Sequence, residues 1–338
     1  MSDDFFNDEP SLENYWRAAI LLGKNTASYK FALGASLIEL APKASNSFIP
    51  LHTIARPFAL RTAQHLREFP KQTSNEQQGK FIAACKEYNE GNLSVDELID
   101  RTAHEGFKYV LDRFHVVDRE PMKKKFYATS TRGSERGIIL TDEMYQLTEQ
   151  KQFENLIGEI ESRWRIVEVS WKTGISRIHL THAHETNDII AISGGRRKNL
   201  TSVRDTLNGY QKGRCFYCRE HISICSGSTN LGQVDHYFPW SLQGSNRAWR
   251  DEIWNLVLAC STCNASGDGG KGNRLPDRGC FLKKLELRNE WLVRSDRSLA
   301  PVIKRQLGET SSQRSQRIGE YDSEASKILV TSRWKPRR

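Results

Sequence analysis

The chain has no long hydrophobic run. Its longest, near residues 16–22, is far short of the roughly 20 apolar residues that span a bilayer, which excludes a helical membrane anchor. The opening Met-Ser-Asp-Asp-Phe-Phe lacks the basic stretch of a secretory signal, so the protein is expected to stay in the cytoplasm. Cysteine is sparse, at 7 of 338 residues, too few for a disulfide-built fold. There is no internal repeat and no long low-complexity tract, which excludes a solenoid. What is present is ordinary for a folded protein: 38% hydrophobic and 27% charged residues, over a length that calls for two or three domains.

The formal charge of +9 is unevenly spread. Residues 1–120 hold 14 Lys/Arg against 17 Asp/Glu, and residues 279–338 hold 14 against 7. A basic excess at one end suits a polyanion, nucleic acid being the commonest, although basic surfaces also serve solubility alone.

Residues 1–120 read as helical. Leu12, Trp16 and Ile20 recur at i, i+4 and i+8 behind a cap at Ser11. A second helix carries Phe31, Leu33, Leu37 and Ile38 and is ended by Pro42. Further helices are expected near 53–68, 76–89 and 95–113, the last opened by the capping box Ser94-x-x-Glu97. Aromatics at this spacing, Trp16 and Tyr29 among them, are usually core. Residues 121–142 predict a hairpin with a glycine turn, 143–163 a helix, and 164–192 β structure. Gly194 to Lys198 reads as a linker, 199–212 as a helix, 308–317 as a mobile polar loop, and 333–338 as a short basic tail. The expected organisation is a helical regulatory or oligomerisation region (1–120), a mixed connecting region (121–195), and a motif-bearing domain (196–338). The fold class is α+β.

Cys215-Phe-Tyr-Cys218 and Cys260-Ser-Thr-Cys263 carry the strongest signal. Two-residue spacing lets both sulfurs of a knuckle face one ion, and two knuckles complete a tetrahedron. Four thiolates leave Zn²⁺ no open position, so the cage is expected to hold the fold. Cys85, Cys225 and Cys280 have no partner at such spacing and are expected to be small buried hydrophobes.

Between the knuckles lies Asp235-His236-x-x-Pro239, then Asn255, with Asn264 directly after the second knuckle. Phosphodiester hydrolysis needs a base for the attacking water, and a histidine is mostly neutral near pH 7. It also needs a cation on the phosphate, and Asp235 and Asn264 offer the oxygen ligands that Mg²⁺ or Mn²⁺ prefers.

Residues 211–275 resemble the HNH endonucleases, also called ββα-metal or His-Me finger nucleases. The resemblance implies a strand ending at Asp235-His236, a second strand from Asn255 to Ala259, and a short helix bearing Cys263 and Asn264. It implies His236 as general base, Asp235 and Asn264 as ligands of one catalytic Mg²⁺ or Mn²⁺, and Asn255 as the brace of the intervening loop. Adjacent strand residues face opposite ways, so Asp235 and His236 need a bend to converge, and Pro239 is suited to stiffen one. Many relatives have a lysine soon after the last ligand. Here the first is Lys271, behind Ala-Ser-Gly-Asp-Gly-Gly, a run that reads as a flexible turn.

Two other clusters read as structural: His179, His182 and His184 at a strand end, and Trp240, Trp249 and Trp254 packed around the loop. The leading expectation is a zinc-stabilised, Mg²⁺-dependent endonuclease acting on DNA, with RNA as a further candidate substrate. The N-terminal half would dimerise or dock a partner protein, as in a restriction or antiphage defence effector. From another class comes a zinc-stabilised nucleic-acid-binding or scaffold protein with an inactive site.

Overall fold

Ser11 caps the first helix as its position implies, its hydroxyl accepting from the Asn14 backbone N–H. The computed structural model describes residues 10–22, 27–74, 79–117, 119–173, 179–183, 188–193, 196–242, 252–267, 269–295 and 299–337. The chain divides into two units, Met1–Trp164 and Arg165–Arg338. The fold class is α+β, with small sheets in both units. Among the described residues no helix is long and apolar enough to cross a membrane.

In the first unit, helices Leu12–Leu21, Tyr29–Leu40, Leu51–Glu68, Lys80–Asn89 and Val95–Glu105 precede a three-stranded antiparallel sheet. The expected hairpin forms its centre and one edge: Tyr127–Arg132 pairs with Glu135–Leu140, and Phe48–Pro50 adds on the other side. Trp16 sits in an aromatic core 5.0 Å from Phe126 and 5.3 Å from Phe114. The capping box at Ser94 and Glu97 is formed in both directions.

Two expectations fail here. The helix over 143–163 is two helices, Asp142–Thr148 and Asn155–Thr173, and the second continues into residues read as β. The β-branched residues at 166–169 suggested a strand. Leu156, Ile160, Trp164 and Val167 are all buried at helical spacing, and packing on that period outweighs β propensity.

The same helix supplies Glu159 to a buried ion pair. Arg17, 1% exposed, donates from Nε and one terminal nitrogen to both Glu159 oxygens, at 2.8–3.2 Å, and also to Asn14 and Gln152. Removing one partner strands a charge. Glu159→Leu is expected to destabilise this unit by about 3–5 kcal/mol in urea unfolding; a loss under 1 kcal/mol would show the pair to be dispensable.

The second unit opens with an antiparallel meander of His179–Ala183, Asp188–Ser193 and Arg196–Ser202. The expected linker is therefore partly a strand; Gly194 and Gly195 lie outside the described residues. Val203–Tyr210 is the expected helix, and it leads through Gln211 into the first knuckle. Strands Gln233–His236 and Leu256–Ala259 pair antiparallel, with Asp235 opposite Val257 and His236 opposite Leu256. Side chains close the outer edge of the second strand. Gln211 bonds both the N–H and the C=O of Leu258, and the Arg288 guanidinium donates to the carbonyls of Leu256 and Trp254. No backbone group of this short sheet is left to solvent pairing at those points.

Helices Arg278–Ser295, Ala300–Leu307 and Ser311–Ile328 follow. The third replaces the expected mobile loop, because Thr310 and Gln313 form a capping box that the polar composition concealed. Much of the basic excess here is internally paired: Arg314 with Glu290, Arg317 with Glu320, and Arg333 with Asp322. The remaining cysteines do not share one environment. Cys85 is buried as expected, Cys225 is half-buried, and Cys280 is exposed at the first turn of its helix, where Asp277 accepts from its backbone N–H.

Candidate active site

Both knuckles are held by backbone. In the first, Arg219 takes a left-handed conformation (φ 70°), the Arg219 N–H returns to the Cys215 carbonyl, and Cys215 pairs with Glu220. Phe216 N–H donates to Leu258, which ties this knuckle to the second strand. In the second, the Cys260 sulfur accepts from the Cys263 N–H and caps the short helix Ser261–Asn264.

The four sulfurs lie within 4.8 Å of one another, and those of Cys218 and Cys260 are 3.7 Å apart. Sulfurs about 2.3 Å from a tetrahedral ion sit about 3.8 Å from each other, so the donor set fits Zn²⁺. A hydrogen bond from Cys263 pulls the Cys215 thiol down to about 5, while burial pushes Cys218 up to about 12. A central dication is what would compensate four thiolates held this close together.

Asp235 and His236 end the first strand. The register runs unbroken through both, so their side chains face opposite ways; the chain bends only after them, at Tyr237. His236 is half-buried, with the Trp240 ring 5.8 Å away. Trp240 is exposed, Trp254 is buried, and Trp249 lies outside the described residues.

The bend is fastened by Asn255, which is wholly buried. Its Oδ1 accepts from the Phe238 N–H at 2.9 Å and its Nδ2 donates to the Phe238 carbonyl at 3.2 Å. Its own carbonyl accepts from the Tyr237 N–H at 2.8 Å. Three bonds from one residue fix the backbone directly after His236. Asn264, half-buried at the end of its helix, donates from Nδ2 to Gln233 Oε1 at 2.9 Å. Gln233 and Asp235 share a strand face, so Asn264 is tied to the Asp235 side of the sheet.

Residues 215–277 match the family model of the HNH endonucleases.

Comparison with curated proteins and with solved structures returned no match. The HNH segment has the expected strand, strand and short helix, with four cysteines placed to bind a metal. Its Asp235 has two partners that the sequence reading did not assign. Lys271, 1% exposed, brings Nζ to 2.9 Å from Oδ1, and the Tyr217 hydroxyl donates to Oδ2 at 2.6 Å. Burial and the facing carboxylate push the Tyr217 phenol well above its ordinary range, so it remains a donor.

The glycine run before Lys271 is a specific turn. A Cβ on Gly270 would stand 2.1 Å from the Ala265 carbonyl oxygen, and Gly269 holds φ at 115°. The Lys271 N–H then reaches the Cys263 carbonyl at 2.7 Å, which aims its side chain back at Asp235. Asp235 and Asn264 remain hard oxygen donors of the kind Mg²⁺ or Mn²⁺ takes, and the fit to such an ion is chemical. His179 and His182 pair with Ile192 and Ile189 in the meander; His184 lies outside the described residues.

Proposed function

We propose that this protein is a metal-dependent endonuclease of the HNH type that hydrolyses phosphodiester bonds in DNA. The observation that carries the reading is the buried Asn255 fastening the backbone behind a half-exposed histidine. Such a brace suits a base that must hold one orientation. His236 accepts the proton of the attacking water. Asp235 and Asn264 hold one Mg²⁺ or Mn²⁺, which when bound neutralises the phosphate and stabilises the leaving 3′ oxygen. The four cysteines hold Zn²⁺, which keeps the second strand and the short helix in register with the first. The N-terminal unit supplies control, by self-association or by docking a partner protein, and a restriction or antiphage defence effector is the setting that needs such control.

Two observations favour the alternative of an inactive nucleic-acid-binding module: Asp235 and His236 face opposite sides of an unbroken strand, and both oxygens of Asp235 are already engaged. Supercoiled plasmid and a structured RNA, each incubated with Mg²⁺ or Mn²⁺ and with a chelator control, decide between them. Nicking of the plasmid that stops with chelator supports the enzyme. Binding without cleavage supports the module, and cleavage of RNA alone corrects the substrate. Asn264→Ala is expected to lower nicking by about 10²-fold with the melting temperature unchanged, since its side chain makes one half-exposed bond.

A further inference from the structure

Asp235 is held by two arms, and both lead to one residue of the short basic tail. Trp334 is 3% exposed. Its ring stands edge-on to Tyr217, centroids 5.1 Å apart at 89°, and it stacks against Phe281. Its indole N–H donates to the Gly269 carbonyl at 2.8 Å, two residues before Lys271. Tyr217 holds one oxygen of Asp235 and Lys271 the other.

The tail is anchored well enough to act as a brace. Trp334 N–H donates to Leu275 and the Asp277 N–H donates to Trp334, both at 2.8 Å, so the tail lies along the segment that leaves the glycine turn. Arg333 grips the buried Asp322 through two nitrogens, at 2.8 and 2.9 Å, and donates to the Pro276 carbonyl as well. The Lys335 ammonium lies 3.5 Å from Asp277.

We propose that Trp334 is a positioning residue for the active site, fixing the 269–272 turn and Tyr217 and through them the orientation of the Asp235 carboxylate. Tryptophan suits the role because one side chain supplies both a flat packing face and a single directed donor. The donor end controls the turn and the face controls Tyr217. An error of about 1 Å in a group that positions the reaction costs about 10²-fold in rate, so a lost brace is visible in turnover. The effect on cleavage rests on the nuclease reading above; the effect on the turn does not.

Trp334→Phe in the full chain keeps the face and removes the donor. Hydrogen exchange over residues 265–274 reads the turn directly, through the amides of Gly270 and Arg274, which bond within it, and of Lys271, which bonds back to Cys263. Exchange there is expected to rise about tenfold, with the peptide over Cys215–Cys218 unchanged. Plasmid nicking by Trp334→Phe is expected to lose about tenfold in kcat, with KM within about twofold. In a Lys271→Gln background the same substitution is expected to cost less than about twofold, because the arm it steadies is already gone. Unchanged exchange over 265–274 overturns the proposal whatever the nicking result. An equal loss of kcat in both backgrounds also overturns it, since Trp334 then acts on stability rather than through Lys271. If wild type does not nick DNA, the nuclease reading falls and the exchange measurement alone decides the brace.

Discussion

His236→Ala is expected to remove plasmid nicking, lowering kcat by about 10²- to 10⁴-fold, the range that a positioned general base supplies. The fold is expected to survive. His236 is half-exposed at a strand end, and its backbone pairing opposite Leu256 does not depend on the imidazole. Melting within about 1 °C of wild type, with a full zinc complement, is the accompanying control. Asn255→Ala gives the contrast. It leaves the buried N–H and C=O of Phe238 without their partner, at about 1–3 kcal/mol each, so stability and turnover fall together. Nicking that persists unaltered in His236→Ala would remove the histidine from the chemistry.

Cys260→Ser is expected to have the largest effect on stability. Purified wild type should retain about one zinc per chain through chelator washing, because a closed thiolate cage gives a chelator no open position to attack. The variant should retain little. Cys260 directly follows the second strand, and its sulfur also caps the helix that carries Asn264. Loss of the cage therefore loosens the strand register and the Asn264 end together. A loss of about 5 kcal/mol, at the upper end for a single substitution, lowers melting by about 10–20 °C for a unit of this size. The first unit holds no part of the cage, and its melting transition should not move. A fully folded, metal-free second unit would refute the structural role of zinc.

Legibility in the sequence followed the range of the constraint. Cys215, Cys218, Cys260 and Cys263 could be read because ligand geometry fixes two-residue spacings. Asn255 could be read only through the family resemblance; its three backbone bonds have no local signature. Lys271 was hidden by its distance from Asn264. Gly270 and Gly269 supply the turn that brings it back, and a glycine run looks the same whether it is loose or tightly built. Residues 164–169 misled because propensity was weighed above period. Residues 308–317 misled because polar composition was weighed above the Thr310-x-x-Gln313 cap. The tail was read for its charge, yet the informative residue is the tryptophan among the cations. Its partners at Tyr217 and Gly269 are distant in sequence.

The cage has a consequence for how the protein meets oxidants. Cys215 and Cys263 are buried, while Cys218 and Cys260 are half-exposed and stand 3.7 Å apart. A peroxide arriving from solvent therefore reaches first the two sulfurs that already face one another. Oxidation of that pair, with the peroxide reduced to water, would close the gap to the roughly 2.05 Å of a disulfide and would withdraw both as ligands of a bound ion. The spacing that suits zinc would also make a bound zinc the guard of its own ligands. Loss of the metal under air would leave a protein cross-linked at the point where the second strand meets the Asn264 helix.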